Sequence, residues 1–209
     1  MKEQNKKIYV VSNNHKIKNE GDIYNALFEE GLDCFHLRKY GYPRSKIVNI
    51  IKGIPEEYHK KIVLHSHYDL AKELKLGGIH IIRDKRKDMI FKLFQLPVYQ
   101  RIPSFTISTS YHSTTKIEEA PSLYSYFFLN SIFGSVLEGG KHSYKEPGKI
   151  TQLLKITKKE IVPLGGIDMI NIGIIKEIGF TSVGLHGAIW GFENPVQRFC
   201  NLRDAFLSK

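Results

Sequence analysis

Apolar positions along the chain fall into eight short runs, separated by segments in which apolar residues recur at helical spacing. The runs are Lys7–Asn13, Cys34–Arg38, Ile62–His67, Ile79–Ile82, Phe105–Ser110, Tyr124–Phe133, Ile161–Leu164 and Ser182–Leu185. They are rich in β-branched and aromatic residues and run on without strict alternation, the pattern of strands covered on both faces. Between them, Asp22–Gly31, Ser45–Ile54, Tyr68–Leu76, Asp88–Leu96, Thr114–Ala120, Ile150–Thr157, Asn171–Ile178 and Pro195–Leu207 read as helices. Gly31 and Gly179 supply helix stops, and Pro195 stands in a first turn. The sixth run passes into an irregular stretch that lasts through Gly148.

Strands alternating with helices imply βαβ units and a parallel sheet. An open doubly wound sheet carries a glycine-rich turn after its first strand. Here Asn13-Asn14-His15-Lys16 contains no glycine, and the glycines instead follow strands seven and eight. The pattern therefore predicts an α/β protein made of a single small (β/α)8 TIM barrel spanning residues 1–209, with residues 1–6 as a disordered tail.

Composition narrows the partners. A 209-residue chain with 42% hydrophobic and 25% charged residues suits one soluble core. No run is long enough to span a membrane, and Ile8–Val11 is too short for a signal-peptide core, so a cytoplasmic protein with no membrane partner is expected. The net charge of +10 is dispersed. Its densest cluster is Arg83–Lys87, and no basic stripe interleaved with aromatics marks a nucleic-acid binder. A small anionic ligand accounts for the excess better. Cys34 and Cys200, far apart in apolar surroundings, read as buried free thiols.

Two stretches specify the anion. Val162–Asp168, V-P-L-G-G-I-D, and Gly184–Trp190, G-L-H-G-A-I-W, each break from a strand into glycine where a helix begins. Glycine lets the backbone approach an anion, and N–H groups at a helix start meet it with partial positive charge. Paired after strands seven and eight of a barrel, they form a phosphate cup. The same mouth gathers His36, His65, His67, His80, His112 and His186. His65 and His67 share a strand face, a spacing a metal could use with His36 or Asp69, but packed mouth histidines are the preferred reading. His80 and His186, just inside strand ends, read as packed. His112, among hydroxyls in S-T-S-Y-H-S, stands where a proton shuttle could stand or where a helix start makes local bonds. Arg38 could clamp an anion or form a rim salt bridge.

In order along the chain, D-C-F-H-L-R-K (Asp33–Lys39), Y-D-L-A with G-G-I-H (Tyr68–His80), S-x-H-S with E-E-A (Ser110–Ala120), Y-F-F-L-N-S-I-F (Tyr126–Phe133), P-L-G-G-I (Pro163–Ile167) and G-L-H-G-A-I (Gly184–Ile189) resemble the family of thiamine phosphate synthase and its TenI-type relatives. The resemblance covers nearly the whole chain and implies a (β/α)8 barrel. It implies that Gly165, Gly166, Ile167, Leu185, His186, Gly187 and Ala188 hold the phosphate of a phosphorylated thiazole. It further implies that His36, Arg38, Ser110, Asn130 and Lys141 contact substrate. The family's synthase branch joins hydroxymethylpyrimidine diphosphate to thiazole phosphate with Mg2+ held by two aspartates. Here those positions are Ser66 and Lys85, with Asp84 one residue from the second. Serine and histidine poorly replace carboxylates around a hard cation. The TenI branch, which also has H-x-R after strand two, isomerises a thiazole carboxylate phosphate without metal, its histidine in S-x-H-S acting as acid and base. That implies a metal-independent thiazole tautomerase with His112 as its catalytic residue and no cofactor. The alternatives are a divergent Mg2+-dependent synthase using Asp84, and a non-catalytic phosphate-ligand binder or regulatory relative. Beyond the small-molecule phosphorylated thiazole, the one macromolecular partner considered is a second copy of the chain in a homo-oligomer.

Overall fold

The structure, a computed structural model, describes residues 6–133 and 147–208. Eight parallel strands and their helices follow one another as the apolar runs predict. The first half comprises β1 (Lys7–Val11), α1 (Glu20–Glu29), β2 (Cys34–Leu37), α2 (Arg44–Lys52), β3 (Ile62–Leu64), α3 (Asp69–Glu73), β4 (Gly78–Ile81), α4 (Arg83–Lys87) and α5 (Leu96–Gln100). The second comprises β5 (Thr106–Tyr111), α6 (Thr114–Glu118), β6 (Tyr126–Asn130), α7 (Pro147–Ile156), β7 (Glu160–Leu164), α8 (Ile172–Ile178), β8 (Ser182–Leu185), α9 (Gly187–Trp190) and α10 (Pro195–Leu207).

The strands are hydrogen-bonded in the order β7-β6-β5-β4-β3-β2-β1-β8. This is a (β/α)8 barrel whose seam lies between β7 and β8. Pro163 stands on this seam. Its carbonyl lies 3.1 Å from where a Cβ on Gly184 would stand, so the residue faces β8, yet it has no N–H to donate there. Gly184 answers by letting the two strands close sterically. At the opposite end, Glu160 stitches the seam through Tyr9 (2.8 Å), Lys7 (3.1 Å) and the Ser182 hydroxyl.

Two cores result. A large one lies between strands and helices, centred on side chains such as Tyr24, Leu27, Phe35, Leu153 and Phe199. A small one fills the barrel interior with Tyr9, Val11, Tyr126, Phe128, Val162 and Leu164.

Several local expectations are corrected. Strand three ends at Leu64, and His67 takes a left-handed φ of 48°, so His65 and His67 do not share a strand face. The helix expected over 88–96 is a π turn, Phe91–Gln95, leading into α5. Pro97 cannot donate an α-helical bond, and the Leu96 N–H reaches back five residues to Phe91 instead. Helices α4 and α9 are additional, and β6 begins at Tyr126. Lys6, expected in the tail, caps α10 by donating to the carbonyls of Phe206 (2.9 Å) and Ser208 (3.2 Å). Cys34 and Cys200 are free thiols, but half-buried.

Candidate active site

The C-terminal ends of β6, β7 and β8 enclose a cavity. Gly165 and Gly166 follow β7 with φ of 96° and 71°, a region side chains avoid. A Cβ on Gly165 would stand 2.6 Å from Asn130 Oδ1 and 2.9 Å from Ser131 Cβ, so only glycine lets the ends of β6 and β7 meet. Asn171 holds the loop that follows. Its Nδ2 donates to the Gly166 carbonyl at 2.7 Å, and its Oδ1 accepts from the Asp168 N–H at 2.9 Å. Asp168, which also lines the cavity, accepts the Ile170 N–H on its carboxylate at 2.8 Å. Across the cavity, α9 starts directly after β8, where the first N–H groups of a helix have no intrahelical acceptor.

Asn130, Gly165, Gly166 and Ile167 line this cavity, as do His186, Gly187 and Ala188. Leu185, expected among the phosphate contacts, is buried within β8 and does not line it. Lys141 lies outside the described residues.

Arg38 forms the wall opposite the glycines. Its backbone is clamped by Ser12, whose Oγ accepts the Arg38 N–H (2.8 Å) and donates to the Arg38 carbonyl (3.0 Å). The guanidinium reaches His186 Nε2 at 2.7 Å. Its Nε is buried without a hydrogen-bond partner, an uncommon and costly state for a charged donor. Burial lowers the Arg38 pKa. Burial, then the Arg38 charge, brings His186 down to about 4, so its ring is neutral.

Beneath the mouth, His36, His65 and His80 come together in the barrel interior. Expected to face substrate, His36 is instead fully buried, with Nε2 on the Tyr126 hydroxyl (2.8 Å) and Nδ1 on His65 Nε2 (3.0 Å). His80 bonds Ser108 through Nδ1 and Ser110 through Nε2, both at 2.9 Å. Desolvation holds His36 and His65 well below the usual histidine range and His80 down to about 3. His67 has gone elsewhere, its Nε2 on the Tyr42 carbonyl at 2.9 Å.

His112 is exposed on a neighbouring groove that it shares with Tyr40, Arg86 and Ser110. Arg86 is fixed there by the Thr109 hydroxyl and the Ser110 carbonyl, both at 2.6 Å, and stacks its guanidinium 4.3 Å from the Tyr111 ring centroid. Ser110 thus borders His112's groove and not the glycine-lined cavity. Ser66 and Lys85, at the positions the resemblance gives to the synthase's aspartates, carry no carboxylate. Lys85 is paired with Asp88 at 2.7 Å, Asp84 is exposed on α4, and Asp69 pairs with Arg44 at 3.1 Å. Among the described residues, the one group of three or more histidine, cysteine or acidic side chains placed to share an ion contains no carboxylate.

A parallel barrel with a cavity and titratable groups at the C-terminal strand ends defines a (β/α)8 fold with an enzyme-like mouth. Residues 8–189 match the family model described as thiamine monophosphate synthase, and the chain belongs to that family. A thiamine-phosphate synthase of Vibrio parahaemolyticus is 25% identical over 81% of this chain and 82% of its own length. One of Methanococcus maripaludis is 23% identical over 95% and 93%. The crystal structure of thiamine phosphate pyrophosphorylase from Bacteroides thetaiotaomicron superposes with a TM-score of 0.74 at 26% identity, covering 96% of both chains. A Pyrococcus furiosus thiamine phosphate pyrophosphorylase gives 0.77 at 18% identity, over 97% of this chain and 96% of its own, a likeness of fold.

Sequence reasoning missed three relationships here: the Ser12 clamp, the Arg38–His186 bond, and the meeting of His36, His65 and His80. The one available signal was a histidine near the end of each of three consecutive strands.

Proposed function

We propose that this chain is a metal-independent thiazole tautomerase of thiamine biosynthesis, acting on a thiazole carboxylate phosphate. The observation that carries the reading is the buried, unpartnered Arg38 Nε on the wall of a glycine-lined cavity, together with Ser66 and Lys85 at the positions the resemblance gives to the synthase's aspartates. The backbone of Gly165, Gly166, Ile167, Gly187 and Ala188 would take the phosphate. Asn130 and His186 would border it, and Arg38 would meet the phosphate or the carboxylate.

Tautomerisation moves a proton from one ring position to another and leaves the atom count unchanged. It needs a group that takes the proton and returns it, together with anion contacts that hold the ring. His112 stands on the neighbouring groove with solvent access and with Arg86 beside it, which suits an imidazole that exchanges protons. Burial and hydrogen bonding withdraw His36 and His80 from that task. The same chemistry proceeds without Mg2+, consistent with the residues found at the metal positions.

The synthase names of the relatives favour a second reading, a divergent Mg2+-dependent synthase. One experiment separates the two. The protein is incubated with the thiazole carboxylate phosphate tautomer, and in parallel with hydroxymethylpyrimidine diphosphate plus thiazole phosphate, with and without Mg2+. The tautomerase reading expects isomerisation that is indifferent to Mg2+ and lost in His112→Ala. Mg2+-dependent diphosphate release establishes the synthase. Thiazole phosphate binding with neither activity leaves a binding protein.

A further inference from the structure

We infer that His36, His65 and His80 form a three-histidine site for a Zn2+-type divalent cation, beneath the mouth and apart from the glycine-lined cavity. All three are buried, and one ring nitrogen from each lies within 4.8 Å of the others. His36 Nδ1 and His65 Nε2 are already 3.0 Å apart. Two nitrogens on one tetrahedral Zn2+ stand about 3.3 Å apart, from the Zn–N bond of 2.0–2.1 Å. The imidazole pair therefore has close to the bite of a zinc ligand pair.

One ring nitrogen of the cluster is left without a hydrogen bond. His36 and His80 each engage both ring nitrogens, and His65 engages Nε2. His65 Nδ1 is buried with no partner, although the residue is only 5% exposed. A barrel interior that needed only volume would be filled by aliphatic side chains without an orphaned polar atom.

Imidazoles that coordinate metal are usually oriented through their other nitrogen by a hydrogen bond. Tyr126 is in place to do this for His36 and a serine for His80, whereas His65 Nδ1, the nitrogen left over when Nε2 ligates, has no such partner. His65 and His80 stack 18° from parallel at 4.3 Å between centroids, so binding requires His80 to turn and release one serine. Three neutral nitrogens with no carboxylate suit a borderline ion and not Mg2+ or Ca2+. His65 also borders the groove of Tyr40 and Tyr68, and His80 the groove of His112. A fourth position could open to either, as in three-ligand sites that keep a water. The inference does not depend on the tautomerase reading.

The test reads metal binding without substrate. Untagged, chelator-stripped protein is titrated with Co2+ and the visible bands of a tetrahedral complex are followed, with Zn2+ as competitor. One equivalent of Co2+ should give those bands, and one of Zn2+ should erase them. His65→Asn and His80→Asn should each weaken binding by at least the roughly tenfold that an outer ligand contact is worth, whereas His67→Asn should not. Should the buried variants fail to fold, X-ray absorption on the zinc-loaded native protein should count three imidazoles. Absence of stoichiometric binding, unchanged affinity in both buried variants, or fewer than three imidazoles overturns the inference.

Discussion

The Arg38 guanidinium donates to His186 Nε2 across the mouth at 2.7 Å, tying the end of β2 to the residue that follows β8. Arginine cannot accept a hydrogen bond, so Nε2 is the acceptor and a neutral His186 carries its proton on Nδ1. One contact thereby fixes a tautomer, a guanidinium orientation and the width of the cavity. It also leaves Arg38 Nε as the donor still seeking a partner.

Arg38→Ala should weaken binding of thiazole phosphate by roughly 10- to 100-fold, since a hydrogen bond to a charged group contributes about 1.5–3 kcal/mol. Arg38→Lys should restore little, because a point charge lacks the planar fork that meets His186 and an anion together. Calorimetric titration of both variants checks this. Native affinity in Arg38→Ala would remove the residue from the ligand site.

Gly165→Ala should damage the site and the fold together. A side chain at φ 96° costs about 1–3 kcal/mol, and its Cβ would press on Asn130 and Ser131. Urea unfolding should show the loss of stability, and phosphate-ligand titration the loss of binding. Gly173→Ala, in α8 with nothing near its Cβ, is the control.

Acid should unfold this protein through its interior histidines. The unfolded chain protonates them near pH 6.5, whereas the folded interior holds His36 and His65 far lower and His80 at about 3, and the mouth holds His186 at about 4. A depressed folded pKa means stability that is complete above the unfolded value and is lost as pH falls below it. Each such group costs up to about 1.4 kcal/mol per pH unit below about 6.5. Urea midpoints should fall steeply between about pH 6.5 and about pH 4, and His80→Gln should flatten the slope by about one proton. An unchanged slope in that variant would contradict the assignment.

Lys39, wholly buried, donates to Glu20 at 2.6 Å and to the His15 carbonyl at 2.9 Å. Glu20→Ala would strand its ammonium and should destabilise by about 3–5 kcal/mol, while Lys39→Met with Glu20→Leu should recover most of that. Denaturant unfolding of the single and double variants measures the coupling. Additive losses would show that the pair does not act as a unit.

The order of eight strands, the barrel and the glycine ends of β7 and β8 were legible along the chain, because each depends on local periodicity and backbone freedom. The seam was not legible. Pro163 could be read, but not that its missing N–H faces β8. Helix boundaries near Pro97 slipped because a π turn leaves the apolar pattern unchanged while moving the hydrogen bonds.

By itself, then, the sequence determined the architecture, the family resemblance and which residue types reach the mouth. Tertiary structure decided which of them meet. Arg38 and His186 are 148 positions apart, and His36 and His65 are 29 apart. Register between neighbouring strands, together with closure of the sheet on itself, sets such distances. A strand's own residues state which faces it presents, but not which partner it will find there.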